Sequence, residues 1–154
     1  MKIIQIIPMF KLAGAEVMCE NLCIALKNAG ENVIVVSFYS EKTAITERLE
    51  KAGVRIEYLD KKLGFDASII FKLVHLFKRE KPDVVHTHIC ASIYGLIAAV
   101  LAGVGKKVHT VHSIAQNEQN RLGKNVNSFM FRHCNVVPVA LSQEVRESIS
   151  EVYG

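Results

Sequence analysis

Lys81-Pro82-Asp83-Val84-Val85-His86-Thr87-His88 leads, two residues on, into the longest apolar run of the chain, Ala91 to Val104. This junction decides the fold. Val84 and Val85 lack the strict alternation of a half-buried strand, which is the pattern of a parallel strand covered on both faces. Pro82 stands just ahead of them, where its missing N–H costs no ladder bond. The 14 residues from Ala91 to Val104 are too few to cross a bilayer, which takes about 20, but enough for a buried helix. A buried strand running into a buried helix is a βα unit, and the pairing repeats in both directions along the chain.

Strand-like runs recur at Lys2 to Ile7, Val33 to Phe38, Val54 to Leu59, Lys107 to His112 and Val136 to Leu141. Between them apolar residues return with helical periodicity. Ala15, Met18, Leu22, Ala25, Leu26 and Ala29 make one stripe, and Ile69, Ile70, Leu73, Val74 and Phe77 another. Gly30, Gly53 and Gly103 fall just past helical stretches, where a left-handed C-cap is expected. Six βα units without repeat, low-complexity tract or flexible linker predict a doubly wound α/β domain. Its parallel sheet has about six strands in the order 3-2-1-4-5-6, with helices on both faces. Right-handed crossovers then set the ends of strands one and four on either side of the switch point where open α/β sheets bind ligands.

The 154 residues fit one domain able to hold a core without disulfides or metal. A hydrophobic content of 50% excludes disorder, and 19 basic against 15 acidic residues, a net charge of +4, falls short of a dedicated nucleic-acid binder. Cys19, Cys23, Cys90 and Cys134 are scattered through apolar segments, which reads as buried free thiols in a reducing cytoplasm. The opening apolar run is broken by Gln5 and Pro8 and has no small-residue cleavage site, so it reads as a strand rather than a secretion signal.

The loops after strands one, four and five carry the chemistry. After strand one, Ala13, Gly14 and Ala15 are small enough to let backbone amides approach a ligand at a helix N-terminus, a position that favours an anion. An ordinary βα turn needs one small residue too, and the G-x-G-x-x-G dinucleotide fingerprint is missing. Strand four ends His86-Thr87-His88 and strand five ends Val111-His112-Ser113. His86 and His88 share a face, and His88 and His112 are placed to face a common cleft, although each could instead close its strand by bonding a loop carbonyl. His75, His109 and His133 read as structural. Cys19 and Cys23 have helical spacing but no third ligand nearby, so no metal site is expected. The P-loop and the G-x-S-x-G elbow are absent. Lys61-Lys62-Leu63-Gly64-Phe65 joins charge to apolar anchors and suits peripheral contact with anionic lipid. The remaining basic clusters read as solvated surface, Lys106 with Lys107 among them.

Taken in order, these pieces resemble the amino-terminal half of family 4 glycosyltransferases, retaining enzymes of the GT-B architecture, which pairs two Rossmann-like domains. The resemblance runs through Ile3-Ile4-Gln5-Ile6-Ile7-Pro8; Ala13-Gly14-Ala15-Glu16, similar to the family's G-G-A-E; Asn21-Leu22 to Ala25-Leu26 with Gly30-Glu31-Asn32-Val33, similar to its G-H-x-V; Lys81 to His88; Val108-His109-Thr110-Val111-His112; and Val139-Ala140-Leu141-Ser142. Ala13 departs from the family's first glycine, and Asn32 from its usual histidine.

The resemblance implies that residues 1 to 154 are an acceptor-side domain and that a carboxyl-terminal, donor-binding domain lies outside the chain. The isolated piece would be inactive. It implies His112 as the catalytic histidine, bonded to a hydroxyl of the transferred sugar. Ala13 and Gly14 would lie near the donor diphosphate, Glu16 would match the family glutamate, and His88 would be an acceptor or cleft residue. No cofactor is implied beyond the nucleotide-diphosphate sugar, which is a substrate. The acceptor would be a glycan or a lipid-linked glycan of the cell surface, handled in the cytoplasm or at the inner face of the membrane, and no nucleic acid is involved. Asp60, Asp66 and Asp83 lie away from the expected cleft, so paired-carboxylate hydrolysis is not supported. Two other readings stay open: a nicotinamide-binding half of an oxidoreductase, and a non-catalytic half that pairs with a separate donor-binding chain.

Overall fold

The computed structural model describes residues 1–154. Six strands, β1 (Lys2–Ile7), β2 (Asn32–Ser37), β3 (Arg55–Tyr58), β4 (Val84–His88), β5 (Lys106–Val111) and β6 (Val136–Ala140), form one parallel sheet in the order β3-β2-β1-β4-β5-β6. Seven helices connect and extend them: α1 (Gly14–Asn28), α2 (Ala44–Lys51), α3 (Ser68–Glu80), α4 (Ser92–Leu101), α5 (Ala115–Glu118), α6 (Arg121–His133) and α7 (Gln143–Tyr153). A 3-10 turn at Ile89–Ala91 joins β4 to α4. The doubly wound order read from the sequence is the observed one.

Alternation within the strands assigns the two faces. Ile4, Ile6, Ile34, Val36 and Val85 pack with α3 and α4 residues such as Leu73, Phe77, Ala98 and Ala99. Val33 and Val35 turn to the other face, where Cys19 and Cys23 of α1 and Ile45 and Leu49 of α2 cover them. Beyond β4 the first face is closed by α6 and α7, through Met130, Val145 and Tyr153. At the β6 edge the pattern is alternating rather than continuous, with Val137 58% and Val139 36% exposed. An edge strand has a neighbour on one side only, and the continuous-run pattern holds only where both faces are covered. Gly30, Gly53 and Gly103 have φ of 87°, 79° and 74°, the left-handed conformation expected just past helices α1, α2 and α4.

Two sequence readings are corrected here. Cys90 is exposed and Cys134 half-buried, leaving only Cys19 and Cys23 as fully buried thiols, because Cys90 sits on the 3-10 turn outside the helix. Lys107 is buried, with its ammonium donating to the carbonyl of Val104 at 2.9 Å, so it is no solvated charge.

Gly95 makes α4 fit against the sheet. A Cβ there would meet Thr87 Cγ2 at 2.6 Å and Ile6 Cδ1 at 3.0 Å. Both neighbours are branched side chains held in a packed layer. Gly95→Ala gains about 1 kcal/mol of helix propensity but forces overpacking that costs about 1–3 kcal/mol. Net destabilisation is expected, read as a lowered urea midpoint at unchanged m-value; a raised midpoint contradicts this packing account.

Candidate active site

The carboxyl ends of β1, β4 and β5 meet at the switch point. Gln5 lies beside His86 in the β1–β4 register, and His88 beside Thr110 in the β4–β5 register. Side chains at alternate positions share a face, so Gln5, His86, His88, Thr110 and His112 stand together on one side of the sheet. His88 Nε2 donates to Gln5 Oε1 at 2.7 Å, and His88 Nδ1 lies 3.0 Å from His112 Nε2. His86 Nε2 is 2.7 Å from Thr110 Oγ1, and its ring centroid is 4.2 Å from that of His88.

Burial keeps these imidazoles neutral. His86 is pushed down to about 3, by desolvation first and then by the neighbouring His109 and His112. His88, fully buried, is held far below the usual imidazole range by the same two effects, with His86 the nearest like charge. His112 is also lowered, chiefly by burial, while the Glu118 carboxylate pulls the other way. Neutral imidazoles can both donate and accept hydrogen bonds.

The structure brings His88 and His112 together as the sequence suggested, but in tandem rather than side by side. His112 is half-buried at the rim. His88 is fully buried, so of the two imidazoles only His112 is open to a molecule at the switch point. Neither His86 nor His88 closes its strand on a loop carbonyl. His109 belongs to the opposite face, buried against Thr87, with its Nε2 3.5 Å from Glu118 Oε2.

Sequence reasoning missed Glu118. Its Oε1 accepts the backbone N–H of His112 at 2.8 Å, and it stands on the single-turn helix α5, too short to show periodicity. Gln119 escaped as well. Its amide donates to the Ile89 carbonyl at 2.8 Å and to Ser92 Oγ at 3.2 Å. These bonds pin a β-branched residue with φ of 54°, a left-handed conformation costing about 1–3 kcal/mol and found mostly at functional sites. The strained Ile89 directly follows His88.

Helix α1 begins at Gly14 after Ala13, which has φ −138° and ψ 173° and gives no side-chain cap. Alanine adopts this extended backbone as readily as glycine, so Ala13 costs the loop nothing. Ala13 and Gly14 are exposed, and a Cβ on Gly14 would meet nothing within 4 Å. The first amides of α1 therefore open on free space, as an anion-binding helix start requires. Glu16 is buried in the first turn of α1.

At the same end of the sheet, but on the α3 and α4 side rather than among these histidines, a cavity of about 330 Å³ is lined by Phe38, Tyr39, Phe65, Ile93, Tyr94 and Leu122, with Pro8 and Cys90. The Lys61 ammonium lies 5.4 Å from the Tyr94 ring centroid and 5.9 Å from that of Tyr39, within cation–π range. Asp66 lies outside the cavity lining, its backbone N–H donating to Tyr94 Oη at 3.2 Å and its carboxylate accepting from the amides of Lys62 and Ser68. Asp60 bonds Ser40. Both belong to the segment between β3 and α3, which folds over the same end of the sheet. Asp83 binds the Lys2 amide at the opposite end, as expected.

An uncapped helix start and a half-buried imidazole at the switch point stand where open α/β sheets bind their ligands. The profile of glycosyltransferase family 4 matches residues 12–154. The chain belongs to this family. Over 57 residues it is 47% identical to an Escherichia coli UDP-Gal:alpha-D-GlcNAc-diphosphoundecaprenol alpha-1,3-galactosyltransferase, a stretch that is 36% of this chain and 15% of that protein. Its fold matches Anabaena HepE, solved with UDP-glucose, with a TM-score of 0.77 at 19% identity over 99% of this chain and 41% of that one. A glycosyltransferase from Rickettsia africae matches with a TM-score of 0.76 at 22% identity, over 99% of this chain and 39% of that one. The chain thus spans about two fifths of these solved relatives. Its sheet is one Rossmann-like unit of the GT-B architecture. No helix is long and apolar enough to cross a membrane.

Proposed function

We propose that this chain is the acceptor-side domain of a retaining glycosyltransferase. The enzyme moves a sugar from a nucleoside diphosphate to a glycan or lipid-linked glycan of the cell surface, and a carboxyl-terminal domain supplies most of the grip on the donor. The observation that carries the reading is the pairing of the open α1 start at Ala13-Gly14 with His112 across the switch point. One suits a diphosphate, the other a sugar hydroxyl. The aromatic cavity at the same end of the sheet suits an acceptor with an apolar portion, as the E. coli relative's diphosphoundecaprenol acceptor has. Lys61 with the exposed Leu63 and Phe65 supports a reading in which the cavity mouth faces an anionic membrane surface.

Chemistry on this domain is positioning. His112 orients the transferred sugar, the α1 amides receive negative charge from the departing diphosphate, and the cleft walls exclude water. The oxidoreductase reading has no support at β2, whose end carries Ser37 bonded to the Pro8 and Tyr39 carbonyls where a ribose-binding carboxylate would stand. The deciding experiment measures nucleotide release from UDP-sugars by the chain alone and by the chain joined to a donor-binding half, with lipid-diphosphate acceptors of graded apolar length. Release is expected only from the joined protein and only with acceptor. Saturable NAD binding without nucleotide release overturns the assignment.

A further inference from the structure

Gln5 is the one buried polar residue of β1, set in the sheet among isoleucines, and glycosyl transfer as described gives it no task. Its amide oxygen accepts from His88 Nε2, so that nitrogen carries the proton. A neutral imidazole holds one proton, which leaves His88 Nδ1 with a bare lone pair. That lone pair faces His112 Nε2 at 3.0 Å, and a hydrogen bond forms there only if His112 Nε2 is the protonated nitrogen. His112 Nδ1 is then bare, and it has no partner within the protein.

We propose that Gln5 is a positioning residue which, through His88, fixes the proton of His112 on Nε2 and presents its Nδ1 to the cleft as an obligate hydrogen-bond acceptor. The geometry has a direct consequence for substrate class. The group that meets His112 must be a donor, such as a sugar hydroxyl, and an ether or carbonyl oxygen in that place is rejected because two lone pairs would face each other. The whole chain of bonds runs in one direction, His112 to His88 to Gln5, and its anchor is rigid because Gln5 is held in the central strand of the sheet. This role rests on the glycosyltransferase reading only for the identity of the hydroxyl; the proton assignment stands on the structure alone.

Replacing Gln5 by leucine reverses the chain. His88 Nε2 would lose its acceptor, and an orphaned buried N–H is rarer and costlier than a bare acceptor. The protons therefore shift: His88 Nδ1 donates to His112 Nε2, and His112 Nδ1 becomes a donor. Gln5→Glu keeps an acceptor oxygen and keeps the native direction.

The test is two-bond 15N–1H correlation of the imidazoles in the 154-residue chain at pH 7.5, with His112 signals assigned from His112→Asn. The unaltered chain is expected to show His88 and His112 both protonated on Nε2. Gln5→Leu should move His112 to the Nδ1-protonated form, and Gln5→Glu should leave it on Nε2. A His112 protonated on Nδ1 in the unaltered chain overturns the proposal, and that measurement needs no variant to fold. So does a Gln5→Leu chain whose His112 stays on Nε2. In the donor-bound two-domain enzyme Gln5→Leu should lower kcat about tenfold with acceptor KM unchanged, and Gln5→Glu should restore most of it. A merely structural glutamine would lower the amount of folded enzyme and leave kcat per folded molecule unchanged. Tautomers as expected without any nucleotide release would support the proton assignment and overturn the glycosyltransferase reading, so the two failures read separately.

Discussion

Acidification from pH 7 to pH 4 is expected to remove several kcal/mol of stability, enough to unfold much of the chain. The cause is the imidazole cluster at the switch point. His86 sits at about 3 in the fold against an ordinary 6.5, through burial and its histidine neighbours, and His88 is shifted further in the same direction. Each group takes up its proton in the unfolded chain while the native cluster still refuses it. Stability is thus complete above about pH 6.5 and declines as pH falls toward 3, by roughly 1.36 kcal/mol per pH unit for each such histidine. His86 alone costs about 3 kcal/mol at pH 4, against a total of about 5–15 for a domain of this size. Glu80, lowered to about 2 by Arg55 with Lys2 and Arg79, adds its loss below pH 4.5, but on a screened surface where ion pairs contribute little. Urea midpoints measured from pH 7.5 to 4 should fall continuously below pH 6.5. The double change His86→Leu with Thr110→Val, which removes the imidazole and its hydroxyl partner together, should make the profile shallower by about one histidine's share and leave the share of His88. A flat profile in the native chain, or an unchanged slope in the variant, refutes the histidine origin.

Strand order and helix boundaries were legible because they follow from local patterns. Val84-Val85 and the run from Ala91 to Val104 state burial directly, and the glycines past α1, α2 and α4 state where those helices stop. The switch point followed from the handedness of crossovers. What could not be read was how deep each polar side chain sits. Gln5 and His88 are separated by 83 positions, and their bond depends on a register between β1 and β4 that apolar patterning leaves open. Gln5 therefore read only as a break in an apolar run, and His88 as an acceptor or cleft residue. The segment between β3 and α3 was unreadable for a similar reason: it has no periodicity, and nothing in it shows that it folds back onto Tyr94. Glu118 lies on a single helical turn whose function is to bond the backbone of His112, an arrangement without a sequence signature. The family resemblance implied roles for His112 and the α1 start, but it could not order the histidines in depth.

His112→Ala should produce the largest catalytic loss of any single change in this domain. The side chain is the one member of the imidazole chain that reaches the cleft, and its neutral Nδ1 has no protein partner, so a bound sugar hydroxyl is its natural donor. Removing a preorganised polar group from a water-excluded site costs about 10²–10³ in kcat. Turnover of the donor-bound two-domain enzyme is expected to fall by that factor, with acceptor KM little changed because the cavity proposed for the acceptor is lined by Tyr39, Phe65 and Tyr94 and not by His112. Stability should fall too, by about 1–2 kcal/mol, since His88 Nδ1 loses its donor inside the sheet, and a thermal melt at pH 7.5 separates that loss from the kinetic one. Alanine and asparagine distinguish two roles for the ring. Asparagine places a carbonyl oxygen near the position of Nδ1 and should recover part of kcat, whereas a ring acting only as filler would be replaced better by leucine. Near-normal turnover in His112→Ala, or recovery by leucine and not asparagine, would remove His112 from the reaction. The imidazole pair would then be a structural feature of the sheet, and the open start of α1 would be the only feature of the site left to contact the donor.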